Sequence, residues 1–173
     1  MINKGKGGGN TVTGLNFEKE TDLLSLLASK EDYRVEKNII YFIDVEVARS
    51  YKKNALYVFL AAKGVDYKKI VSKKLLPDEA LYVIVNNTLF VIEVKFQKVA
   101  GSVDEKLQTC DFKRKQYSKL MAPLNIEVEY IYILSDWFGK PEYKDVRDYI
   151  MSVGCQYYFK YLPLQKLGLP VPN

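Results

Sequence analysis

Two apolar runs, residues 80–85 and 89–96, stand on either side of Asn86 and Asn87. β-Branched and apolar residues flanking a short Asn-rich turn specify a β-hairpin. In the second run Ile92, Val94 and Phe96 point one way, and Glu93 and Lys95 point the other. A carboxylate and an ammonium inside an apolar strand cost desolvation unless they find partners. A turn at Asn86-Asn87 places the residue opposite Glu93 near position 80, within reach of Asp78. Fourteen residues separate Asp78 from Glu93. Two carboxylates converging there make a hard, oxygen-lined site suited to Mg²⁺, with Lys95 able to activate a water and offset phosphate charge. The plainer alternative is a surface ion pair between Glu93 and Lys95, with Asp78 as a turn residue. Glu79 competes for the role of first carboxylate.

The flanking segments predict α/β architecture, a mixed central β-sheet with helices packed on it. A helix is expected over residues 16–29, capped by Asn16, with Glu18 and Glu20 in its first turns. Residues 34–47 read as a strand or bent hairpin, and residues 55–62 as a buried strand or a helix. A short lysine-rich helix is expected over 66–76. A long one follows the hairpin from Gly101 to about Met121, with Ser102 as its cap. A strand over 126–134, a helix over 142–153 and a last strand over 155–161 complete the pattern. Residues 1–14 form a glycine-rich segment and 162–173 a tail, and no linker divides the 173 residues into more than one domain.

Composition narrows the chemistry. The chain has no histidine and two cysteines, Cys110 and Cys155. Ser-His-Asp and Cys-His catalysis and histidine-ligated zinc or haem are therefore excluded, and two cysteines form no disulfide framework. Acid–base work falls to Asp, Glu, Lys or Tyr. Net charge is +5, and it is clustered: Lys63, Lys68, Lys69, Lys73 and Lys74 oppose Asp66 alone. Seven basic residues between positions 95 and 119 oppose three acidic ones. Basic stretches on both sides of the hairpin fit a nucleic-acid footprint or two solvated helix faces. On the helix after the hairpin, Lys106, Lys113 and Gln116 are the candidates for a phosphate backbone. Tyr130, Tyr132, Tyr157, Tyr158 and Tyr161 are expected as half-buried strand residues with their polar tips in water. The opening residues have no apolar run of the signal-peptide kind, and no stretch is long enough to span a bilayer, which predicts a cytoplasmic protein without membrane contact.

The ordered set Pro77-Asp78, fourteen residues, Glu93-Val94-Lys95 and then a basic helix resembles the signature of the PD-(D/E)xK nuclease superfamily. The resemblance extends over about residues 16–135 and implies a restriction-endonuclease-like core. It implies Asp78 and Glu93 as metal ligands, the Val94 carbonyl as a third, and Lys95 as the group that orients the attacking water. It favours Asp78 over Glu79, because Asp78 follows Pro77. Glu18 matches a position where some members carry an extra acidic residue, and so joins the candidate catalytic set. The segment from Gly101-Ser102 to Leu107, and Asn10 and Thr11 in the glycine-rich opening, look like segments of small type II restriction endonucleases, which implies DNA contacts at Ser102, Asn10 and Thr11. The expectation is a Mg²⁺-dependent endonuclease, with Mn²⁺ able to substitute and no organic cofactor, cutting double-stranded DNA as a homodimer. The alternatives are a junction-resolving or repair nuclease, or a non-catalytic nucleic-acid-binding module on the same fold.

Overall fold

The computed structural model describes residues 12–173. Strand β1 (Gly14–Asn16) and helix α1 (Leu23–Ala28) precede a meander of β2 (Tyr33–Glu36), β3 (Ile39–Phe42) and β4 (Val45–Ser50). Helix α2 (Ala55–Ala62) leads to the hairpin of β5 (Glu79–Val83) and β6 (Thr88–Lys95). Then come α3 (Val103–Lys106), α4 (Cys110–Met121), β7 (Glu127–Leu134), α5 (Lys144–Ser152), β8 (Gln156–Phe159) and β9 (Tyr161–Pro163).

Seven strands form one mixed sheet in the order β2-β3-β4-β5-β6-β7-β8. Neighbours are antiparallel from β2 to β6 and parallel from β6 to β8, while β1 and β9 pair separately. Strand alternation divides the core. Ala80, Leu89, Val91, Tyr130 and Tyr132 pack with residues of α2, α4 and α5. Leu81, Phe90, Ile92, Ile131 and Ile133 pack with α1 and with Leu162, Leu164 and Leu167. The α/β class with a helix-flanked mixed sheet therefore holds. Among the described residues no helix is long and apolar enough to cross a membrane.

Several elements depart from the sequence expectation for local reasons. Helix α1 begins at Leu23 because Asp22 caps it, accepting the Ser25 N–H at 2.9 Å. Asn16 instead ends β1 and accepts the Glu18 N–H at 2.9 Å, so Glu18 lies in a turn and on no helix. Residues 55–62 are helical, with Leu56, Tyr57 and Leu60 buried. The lysine-rich segment holds only a 3₁₀ turn, Tyr67–Lys69, because the Tyr57 hydroxyl bonds both the N–H and the carbonyl of Leu75 and holds the chain extended. The helix after the hairpin breaks at Leu107–Thr109, where the Lys106 carbonyl accepts the Thr109 and Tyr132 hydroxyls at 2.8 and 3.3 Å. Ser102 makes no side-chain cap there. The expected tail is partly core: Leu162, Leu164 and Leu167 are fully buried, and Tyr33 donates to the Pro170 carbonyl at 2.5 Å.

Candidate active site

The hairpin turn decides which residues meet. Val83 pairs with Thr88, so Ile84 to Asn87 form a four-residue loop, closed by Asn87 at a φ of +50°. Ile84 and Val85 leave the ladder and are exposed. This longer loop shifts the partner of Glu93. Glu79 pairs with Ile92, and one further step sets Asp78, rather than residue 80, opposite Glu93. On the other side Tyr51 N–H still bonds the Ala80 carbonyl at 2.7 Å, and the chain then turns, with Lys53 at a φ of +54° and its N–H on the Pro77 carbonyl at 2.8 Å. Asp78 and Glu93 thus stand opposite one another and share a face, and Lys53 reaches Asp78 from the turn after β4.

Glu93 is 6% exposed. Lys113 of α4 donates to its Oε1 at 2.8 Å, the Tyr130 hydroxyl donates to the same oxygen, and Lys95 Nζ lies 3.0 Å from Oε2. Burial pushes the Glu93 pKa up, but Lys113, Tyr130 and Lys95 together outweigh it and hold the carboxyl below its ordinary range. Tyr130 is raised by its own burial and by the Glu93 charge, so it stays a protonated donor. Tyr130 and Tyr132 are therefore fully buried around this carboxylate and the Lys106 carbonyl, not half-buried with tips in water. Asp78 is more open, its side chain 54% exposed and paired with Lys53.

Glu79, one residue from Asp78, faces the other side of the sheet. Its Oε1 accepts the Leu23 N–H of α1 at 3.4 Å and lies 3.9 Å from Lys52 Nζ, and its Oε2 is buried without a hydrogen-bond partner. Burial pushes its pKa up to about 7, against the opposing pull of Lys52 and the Leu23 N–H. Lys52 also binds Asp22 at 2.6 Å, and this bond is the main reason that the Asp22 carboxyl falls to about 2. Asp22, Lys52, Lys53, Asp78, Glu79 and Val94 line an open cleft of about 580 Å³ at the strand ends.

The other candidate residues are dispersed. Glu18 is exposed, 3.4 Å from Lys160, and lines a different cleft. Asp22 and Glu79, and not Glu18, are the acidic residues that line the cleft with Asp78. Lys113 is engaged with Glu93, Gln116 is half-buried on α4, and Lys106 and Ser102 are exposed around α3. Asn10 and Thr11 lie outside the described residues. Sequence reasoning missed Lys53, because it reaches Asp78 from a turn after β4 that no pattern marks. It missed Tyr130 as a Glu93 partner, although its alternation with Ile131 on β7 already set it on one face.

Asp78, Glu93 and the Val94 carbonyl are hard oxygen donors of the kind that hold Mg²⁺. Glu93 Oε2 is buried without an aligned hydrogen-bond donor and so retains coordinating capacity. Among the described residues no three Asp, Glu, Cys or His side chains gather as a metal site, so ligands beyond the pair would come from backbone and water. A scan against protein-family models, a search of curated proteins and a search of solved structures each returned no match.

Proposed function

We propose that the protein is a metal-dependent endonuclease that hydrolyses phosphodiester bonds of double-stranded DNA, centred on Asp78, Glu93 and Lys95. The observation that carries this reading is the register of the hairpin, which sets Asp78 opposite Glu93 with Lys95 two residues further along the same face. The order of elements supports it: three antiparallel strands, β4 to β6, then a helix bearing Lys113, then the parallel strand β7. When bound by Asp78, Glu93 and the Val94 carbonyl, a Mg²⁺ ion would supply positive charge for the phosphate oxygens and acidify nearby water.

The chain's own groups do the rest. Lys95 holds the attacking water beside Glu93 and offsets charge that builds on the phosphate as a P–O bond breaks. Tyr130 fixes the Glu93 rotamer from below. Lys53 and Lys113 neutralise the two carboxylates, and would be free to contact phosphate were Asp78 and Glu93 to hold a cation. Lys53, Lys95 and Lys113 against Asp78 and Glu93 leave the site with one net positive charge, which favours an anionic substrate. One site cuts one strand, so two copies act on a duplex.

The lysine partners also support a second reading, a DNA-binding module in which Lys53–Asp78 and Lys113–Glu93 are structural ion pairs. Digestion separates the two. Genomic DNA is incubated with the protein and Mg²⁺, and new ends are sequenced. A nuclease yields new ends that Lys95→Ala does not; a binding module yields none.

A further inference from the structure

Cys110 and Cys155 take no part in the candidate active site, yet the fold brings them together. Cys110 is the first residue of α4, and Cys155 is the residue before β8. They are 0% and 1% exposed, in the core on which α4 and α5 pack.

The backbone sets the approach from both sides. The Cys155 N–H bonds the Ile150 carbonyl at 3.1 Å as the chain turns from α5 back to the sheet. Gly154, at a φ of +76°, faces Arg114, which lies one turn along α4 from Cys110; a Cβ at Gly154 would stand 3.5 Å from Arg114 Cζ. The starts of α4 and β8 are thus neighbours, and the two thiols share a hydrogen bond. The pair is asymmetric. Cys155 donates to the Cys110 sulfur and the Asp111 N–H adds a second donor, which together outweigh burial and draw the Cys110 thiol below its ordinary range. The same thiol–thiol bond, with burial, raises Cys155 against the pull of Arg114.

We infer that Cys110 and Cys155 are a modification site, a dithiol that closes to a disulfide joining the start of α4 to the start of β8. The oxidant is a low-molecular-weight disulfide of the glutathione class. The Cys110 thiolate attacks one of its sulfurs, the external S–S bond breaks, and a first thiol leaves. The Cys155 thiolate then attacks the Cys110 sulfur and expels the second. One external disulfide is reduced to two thiols, which take up the two protons that the cysteines give up. The bridged product contains no atom of the oxidant, so in the folded state the two sulfurs need only meet each other. Exchange with the oxidant takes place in locally opened chains, and α4 begins at the helix break over Leu107–Thr109. Helix α4 also carries Lys113, the donor to Glu93, so the bridge anchors the helix that holds that carboxylate. It forms whether or not that site cuts DNA.

The reduced full chain is equilibrated in mixtures of reduced and oxidised glutathione, with and without urea, then quenched in acid, unfolded and alkylated for mass spectrometry. The expected product has lost two hydrogen atoms, accepts no alkyl group and is restored by dithiothreitol. Because folding holds the sulfurs together, the native chain is expected to bridge at a [GSSG]/[GSH]² ratio roughly tenfold lower than the urea-unfolded chain. Unfolded chain refolded into the same mixtures is expected to reach the same end state, which removes access to the core as a limit. Cys110→Ser and Cys155→Ser are expected to keep one thiol and form no bridge within the chain. An equal or higher ratio for the native chain, a refolded chain that keeps both thiols, a glutathione adduct as the end product or a bridge between two chains would overturn the inference. No DNA or cation is present, so the outcome is independent of the digestion assay.

Discussion

Glu79 and Glu93 sit on adjacent strands, both buried, with their carboxylates on opposite faces of the sheet. Glu79 meets the Leu23 N–H at the start of α1, while Glu93 meets Lys113 of α4. Alternation then assigns Asp78 to the face of Glu93. Each keeps its Oε2 without a hydrogen-bond donor, but Lys113, Tyr130 and Lys95 hold the Glu93 carboxyl below its ordinary range, while burial raises Glu79.

Glu79 should make stability depend on pH near neutrality. Its folded pKa of about 7 lies above the ordinary 4.5, so the folded state holds the proton more tightly than the unfolded chain. That contribution is fully present below about pH 4.5 and is lost as pH rises through 7. Glu79→Gln is expected to flatten this part of the stability profile and to gain up to about 3 kcal/mol over the native chain at pH 8 relative to pH 5. Urea denaturation of both proteins at the two pH values measures it.

Lys113 should matter in the opposite sense. Lys113→Met leaves Glu93 buried with Lys95 and Tyr130 only, and is expected to cost about 2–4 kcal/mol at pH 8. With its pKa no longer held down, Glu93 in the variant takes up a proton on acidification, so the loss should shrink toward pH 5. Urea midpoints across that range give the trend.

Asp22 both caps α1 and binds Lys52. Asp22→Ala is expected to cost about 1–2 kcal/mol at neutral pH, the usual worth of a cap. The native carboxyl is depressed to about 2, so its contribution is present above pH 3.8 and lost as pH falls toward 2. Native and variant proteins should therefore converge in acid, which thermal denaturation at pH 2 and pH 7 can measure.

Where pattern and local chemistry coincide, the sequence is a good guide to this fold. The hairpin, β7 and the buried face of α4 follow from alternation and from helical spacing of Cys110, Tyr117 and Met121. The errors arise where side chains compete for the backbone. Asp22 outcompetes Asn16 as the cap, and Thr109 with Tyr132 interrupts a helix that spacing alone would continue. At the site, Asp78, Glu93 and Lys95 are legible because one strand and one turn position them. Lys53 and Asp22 are not, because they arrive through the turn after β4 and a helix start that only long-range pairing reveals.

Calorimetric titration of Mn²⁺ into the native protein and three variants tests the paired carboxylates most directly. The account predicts a divalent site that is retained in Glu79→Gln and lost in both Asp78→Asn and Glu93→Gln. Absence of binding to the native protein, or a site that survives Asp78→Asn but disappears with Glu79→Gln, would contradict it.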